Sequence, residues 1–348
     1  MSKKNQVTVT GASGFLASHC IIQLLTEGYS VKGTIRDMGR EKSLRAIYHE
    51  NVEFSDEQLT FVEVDLMSDR NWDEAMKDSA YVLHIASPFI TTLPKDPDTL
   101  IKPAIEGALR ALRFARKNKI QRVVMTSSMA AISYGHPRPM KTSVLDENSW
   151  TDVNGDDVTP YIASKTLAEK AAWDFIRNQA EDELELVTIN PSAILGPVLE
   201  KDYGSSATII KKVLDRAIPG LPHMGFQVVD VRDVATAHLK AMTLPGAAGK
   251  RIAVTDRFVW FEELAAILAK EFTSMGYRIP RKTIPDFMIK IFSWFDPETR
   301  SVMNEIGIKR ELSNERMRNL LGIKPIPAKD SILVTGHTLI SHGLIKKK

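Results

Sequence analysis

The stretch PYIASKTLAEK, Pro160 to Lys170, sets a phenol and an ammonium four positions apart, Tyr161 and Lys165. The run reads as the start of a helix, and four positions make about one turn, so both heads project from one face. A free tyrosine titrates at about pH 10. A neighbouring ammonium favours phenolate and lowers that value, which would let Tyr161 serve as a general acid near neutrality. Ser128, in TSSMAAISYG (126–135), offers a hydroxyl that could hold the oxygen being protonated. Ser127 is its rival, because neighbouring residues at a strand end point opposite ways. Proton transfer at oxygen paired with hydride transfer at carbon turns a carbonyl into an alcohol.

The elements that must bring these groups together are legible in the chain. Short apolar runs at 6–10, 30–35, 59–64, 80–85, 122–127 and 184–189 predict strands. Helical patterns fall between them, at 14–27, 40–50, 70–77, 97–118 and 160–181. Strands alternating with helices predict a Rossmann-type α/β fold, a doubly wound parallel sheet covered on both faces. Beyond Pro191 the rhythm changes to a loop rich in Pro, Gly and Ser, with helical pieces at 205–216, 231–243, 261–275, 284–294, 313–321 and 328–343. The expected organisation is a nucleotide-binding domain over 1–190, with 226–255 returning to it. A smaller, mostly helical substrate-binding part takes 191–225 and 256–348. Such an addition commonly shapes a pocket beside the sheet's carboxyl edge.

The first strand runs into TGASGFLAS, with Gly11, Gly14 and Ala17 at three-residue spacing opening a helix. Backbone amides at a helix N-terminus attract phosphate, and the missing side chains admit a pyrophosphate. The second strand ends GTIRD. An acid there would suit the ribose 2′-hydroxyl of NAD, whereas the guanidinium of Arg36 suits the 2′-phosphate of NADP. Arg40 or Lys42 could add charge, and Asp37 keeps the acidic alternative open. Asp65, after the third strand, fits either a place beside the adenine or the N-cap of the next helix.

Seven motifs in order, TGASGFLAS, TIRD, HIASPF, VVMTSSMAA, YIASKTLAEKAAWDF, NPSAILGP and DVRDVATAHLKA, cover residues 7–245. On these the chain resembles the extended short-chain dehydrogenases/reductases, within them the dihydroflavonol-4-reductase-like branch that includes aldehyde and ketone reductases. The resemblance implies a catalytic triad of Ser128, Tyr161 and Lys165, with Lys165 also holding the nicotinamide ribose. It implies NADP(H) on Gly11, Ser13, Gly14, Phe15, Leu16, Arg36, Lys42, Asp65, Leu66, Ala86, Ser87, Thr126, Tyr161, Lys165, Pro191 and Ile194. The expected function is NADPH-dependent reduction of aldehydes or ketones. A sugar-nucleotide epimerase or dehydratase, a hydroxysteroid dehydrogenase and a redox sensor without turnover are the alternatives. Ala17 stands where the third glycine would be. Ser133 stands where plant flavonoid reductases carry an Asn or Asp that reads ring hydroxyls, which argues against a flavonoid substrate.

The remaining chain is read plainly. Of 348 residues, 46 are basic and 43 acidic, giving a net charge of +3, and their scatter leaves no nucleic-acid footprint. The single cysteine, Cys20, in an apolar helical stretch, excludes an internal disulfide and reads as a buried thiol. No signal peptide or membrane-length apolar run is present, so a cytoplasmic setting is expected, with a small carbonyl or alcohol as partner and a monomer or homodimer as assembly. No cluster has metal-ligand spacing, and a metal-free site is expected. His84 and His238 read as core histidines, Arg232 and Asp233 as structural pairs, and Glu169 and Lys170 as a solvated helix face. Phe89, Ile132, Tyr203, Met224 and Phe226 are candidates for the substrate pocket.

Overall fold

In a computed structural model the fold is described for residues 5–88, 96–137, 144–179, 184–201, 203–218, 220–294 and 303–347. Seven parallel strands form the main sheet, in the order Arg251–Val254, Glu185–Pro191, Arg122–Thr126, Tyr81–His84, Gln6–Val9, Ser30–Ile35, Leu59–Glu63. Val7, Val9, Val82, Leu83, Val123, Val124 and Val187 are all 0% exposed. This near-continuous burial is what a parallel sheet covered on both faces demands of its strands.

Phe15–Thr26 and Val231–Thr243 pack on one face of this sheet, and Asp98–Lys117 and Pro160–Arg177 pair on the other. The strand order reverses between Gln6–Val9 and Tyr81–His84, the position at which doubly wound sheets open a ligand crevice. The two carboxyl ends are locked there. Thr10 N–H donates to the Leu83 carbonyl, and Thr10 Oγ1 accepts from the amides of Ile85 and Ala86 at 3.0 Å each.

The six expected strands and five interleaved helices are present, with ends differing by a few residues. The later chain carries strands that its helical rhythm concealed. Arg251–Val254 is the seventh strand of the main sheet, while Ala193–Leu195, Gly225–Asp230 and Arg257–Trp260 make a separate three-stranded sheet. Each is six residues or fewer, too short for alternation to stand out beside helices. Around the small sheet, Ala207–Leu214, Phe261–Phe272 and Ala328–Ser341 bury a second core containing Ile210, Leu268, Phe272 and Ile332. Among the described residues no helix is long and apolar enough to cross a membrane.

Candidate active site

Thr159 starts the helix Pro160–Arg177. Its hydroxyl accepts from the Ile162 amide at 3.4 Å, and Pro160 occupies the first turn, where its missing N–H costs nothing. That start fixes Tyr161 in the first turn, aimed into a cavity of about 440 Å³ that Ser128, Tyr134, Ser192, Ser205 and Glu305 also line. Ser128 sits in extended backbone at the end of the fifth strand. Its hydroxyl accepts from the Ala130 amide at 3.1 Å, and its carbonyl accepts from Asn190 Nδ2 at 3.2 Å. Ser127 turns the other way: it is 5% exposed and donates to Glu169 Oε2 at 2.5 Å. The geometry therefore separates the two serines, and Ser128 is the one that shares a cavity with Tyr161.

The electrostatics differ from what the spacing suggests. Tyr161 is 39% exposed overall, yet its hydroxyl lies deep enough that burial raises its pKa, with the Ser128 hydroxyl pulling it partly back. The Lys165 ammonium does not contribute to the shift; it lies 5.9 Å from the tyrosine ring centroid. Burial thus acts against the expected lowering of the phenol by Lys165, because desolvation disfavours the phenolate. Burial brings Lys165 itself down to about 8. Among the described residues its ammonium has no hydrogen bond or ion pair, leaving three donors for a ligand.

Behind Lys165 lies a cavity of about 20 Å³, room for one water. It is lined by Leu66, Ala86, Ser87 and Thr126, four positions expected at the cofactor, and by His84. The Thr126 hydroxyl meets His238 Nε2 at 2.7 Å, and His238 Nδ1 meets the Val234 carbonyl at 2.7 Å. His84 Nδ1 meets Thr10 Oγ1 at 3.0 Å. Burial lowers both histidines to about 4, with the Lys165 charge adding to the effect at His84. Both are neutral core histidines.

At the first turn, Gly11 has φ +70°, and a Cβ there would stand 3.0 Å from the Ala86 Cβ, so only glycine suits the crossing. Gly14 starts the helix Phe15–Thr26 with no side-chain cap, and among the described residues the amides of Ser13, Phe15 and Leu16 have no partner. Leu16 is buried, and Phe15 packs edge-on against His19. Arg36 and Lys42 are exposed and make no hydrogen bond or ion pair among the described residues. Asp37 Oδ1 instead accepts from the Gly39 amide at 2.8 Å, and Arg40 is held by Glu200 at 2.6 Å. Uncapped amides, a free guanidinium and a free ammonium fit the phosphates and ribose of a dinucleotide.

The other positions singled out in the chain lie in varied surroundings. Asp65 does not cap the following helix: its Oδ1 accepts from the Met67 amide, and Asn71 is the N-cap of Trp72–Met76. Pro191 is buried at the end of its strand, and Ile194 packs against the main core. Arg232 and Asp233 make structural contacts, as expected: Arg232 pairs with Asp230 at 2.8 Å, and Asp233 Oδ2 accepts from the Ile326 amide. Ser133 is 1% exposed and does not line the cavity beside Tyr161, nor do Ile132, Tyr203, Met224 and Phe226. Phe89 lies outside the described residues. Cys20 is 0% exposed, and burial pushes its thiol well up.

Glu169 is the clearest correction. It is 0% exposed and accepts from Ser127, Trp173, Thr188, Asn190 and Arg251, while the Arg251 guanidinium lies 3.6 Å from the Trp150 ring centroid. Spacing could have revealed it: 161, 165 and 169 follow one helix face.

The fold and these groups define a Rossmann-type dinucleotide-binding protein with a Ser, Tyr and Lys constellation. Residues 7–254 match the NAD dependent epimerase/dehydratase family, and the chain belongs to that family. It is 36% identical over 287 residues to cinnamoyl-CoA reductase CAD2 of Medicago truncatula, covering 81% of this chain and 85% of that one. To the NADPH-dependent methylglyoxal reductase GRE2 of Saccharomyces cerevisiae it is 29% identical over 341 residues, covering 94% and 95%. The crystal structure of yeast methylglyoxal/isovaleraldehyde reductase Gre2 complexed with NADPH superposes with a TM-score of 0.80 at 27% identity, covering 98% of this chain and 100% of that one.

Proposed function

We propose that this protein is an NADPH-dependent reductase that converts aldehydes or ketones to alcohols. The observation that carries the reading is the shared cavity, in which the Tyr161 phenol and Ser128 hydroxyl face the same space and the unpartnered Lys165 follows one helical turn on. The uncapped turn from Gly11 to Leu16 and the free Arg36 fit NADPH, which supplies a hydride to the carbonyl carbon when bound. The similar yeast reductase Gre2 is NADPH-dependent, and its crystal structure holds NADPH.

Ser128 Oγ–H donates to the substrate oxygen and holds it beside the phenol. As negative charge builds on the substrate oxygen, Tyr161 transfers its proton there, leaving phenolate. A pKa raised by burial suits this direction, since the donor must be protonated at neutral pH. Lys165 holds the ribose and offers the phenolate a positive charge, stabilising the state that burial alone disfavours. Solvent returns a proton to the phenolate after turnover. The arginine at position 36, where an acid would hold the NAD ribose, argues against the epimerase and dehydratase reading.

A panel of aldehydes, diketones and hydroxyketones with NADPH and with NADH, followed at the nicotinamide absorbance, tests the reading. Consumption of NADPH with stoichiometric alcohol, and much slower use of NADH, is expected. Unchanged NADPH across the panel, or equal rates with both cofactors, would count against it.

A further inference from the structure

The cavity beside Tyr161 carries a carboxylate that the reduction itself does not use. Glu305, in the turn Met303–Glu305, lines the same space as Ser128 and Tyr161, and its side chain is 19% exposed. Its Oε2 accepts from Arg310 Nε at 3.1 Å, while among the described residues Oε1 has no partner. Arg310 cannot neutralise it alone, because the same guanidinium also serves Asp157. Arg310 Nη2 donates to Asp157 Oδ2 at 2.8 Å, Nη1 to the Ser133 carbonyl at 3.0 Å, and the group lies 4.3 Å from the Tyr134 ring centroid. Two carboxylates share one guanidinium, so the cluster keeps one net negative charge. Asp157 is 7% exposed, does not line the cavity, and has its other oxygen on the Gly135 amide at 2.9 Å. The spare acceptor and the spare charge therefore fall on Glu305. Tyr134, which also lines the cavity, has its phenol pushed up by burial and then by the Glu305 charge. A second polar group lines the same space: Ser192 Oγ is buried and has no partner among the described residues.

We infer that Glu305 selects the substrate: the site takes carbonyl compounds that carry a hydroxyl away from the carbonyl, and it excludes those that carry a carboxylate. This inference rests on the reductase reading. With the carbonyl oxygen at Ser128 and Tyr161, the far end of the substrate meets Glu305 Oε1. A hydroxyl donates to that oxygen in a charge-assisted hydrogen bond. An alkyl end leaves that oxygen desolvated and without a donor, and an anionic end adds like-charge repulsion.

The test compares three methyl ketones of matched length whose far end is a methyl, a hydroxymethyl or a carboxylate, with wild type, Glu305→Ala and Glu305→Gln. For wild type, kcat/KM is expected to rank hydroxyl above methyl above carboxylate. Glu305→Ala is expected to lower kcat/KM for the hydroxyl ketone about tenfold, mainly through KM, the size of one net hydrogen bond to a charged group. It should leave the methyl ketone within about twofold and raise the carboxylate ketone about tenfold. Glu305→Gln, which keeps an acceptor and removes the charge, should retain part of the hydroxyl preference while admitting the carboxylate. Equal changes for all three ketones, or a hydroxyl-to-methyl ratio unchanged by either substitution, would overturn the inference. If wild type reduces none of them, the reductase reading fails by itself. Equilibrium binding of the three ketones to the NADPH-loaded protein then decides the selection: the same ranking, lost in the variants, upholds it, and no ranking overturns it.

Discussion

Two glutamate–arginine pairs stand at the site, an inner one behind the strand end that carries Ser128 and an outer one at the cavity beside Tyr161, yet they are used in opposite ways. On the inner wall Glu169 and Arg251 are buried, 0% and 8% exposed at the side chain, and both carboxylate oxygens are filled by donors. Arg251 spends its remaining hydrogens on the carbonyls of Glu147, Ser149 and Ala131. Asn190, which donates to Glu169, also holds the Ser128 carbonyl. A pair saturated in this way can only position what surrounds it, here the strand end that presents Ser128. On the outer wall Arg310 is divided between Glu305 and Asp157, and among the described residues Glu305 Oε1 has no partner. On the proposed reading, chemistry belongs to the braced wall and selection to the unsaturated one.

That contrast can be broken at the inner wall first. Arg251→Met strands a buried carboxylate and should cost about 3–5 kcal/mol of stability, read as a shift of the denaturant midpoint. The double variant Arg251→Met/Glu169→Leu should recover part of it. A single variant as stable as wild type would mean that Glu169 finds other compensation, and the difference between the walls would lose its basis.

A smaller effect is expected where the cofactor's phosphate is read. Arg36→Ala should weaken NADPH by about 1.5–3 kcal/mol and hardly touch NADH, measured by equilibrium titration of each. Equal losses would make Arg36 merely structural.

The mildest effect is on pH dependence. Lys165, held at about 8 by burial, is charged below that value and neutral above it. The kcat/KM for NADPH reports the enzyme before cofactor binds. It should therefore be level below pH 8 and decline above it, whereas Lys165→Arg, charged throughout, should lack that decline. A wild-type profile level through the alkaline range would remove the ammonium from cofactor binding.

Much of the frame was legible in the chain because its signals are local. Buried strands, uncapped glycine turns and the 161 and 165 pair each sit within a few residues. The mistakes arise where partners are distant. Glu169 passes for a surface residue because four of its five donors come from distant segments, at 127, 188, 190 and 251, while the spacing from 161 and 165 gives only the direction it faces. The phenol's upward shift was missed for a related reason: spacing reveals the neighbouring ammonium but says nothing of the burial that outweighs it. Glu305 gives no sequence signal at all, since the significance of its carboxylate depends on Arg310 being shared with Asp157. Arg36 can be singled out from the chain alone, because its proposed role depends on its place at the end of the second strand.

The most direct measurement follows the reduction's two electrons. With NADPH deuterated at the transferable C4 position and an aldehyde turned over by the enzyme, the account expects an alcohol with one deuterium on the carbinol carbon and one NADPH consumed per alcohol formed. An isomerised or dehydrated product without deuterium, with the cofactor recovered intact, would contradict it.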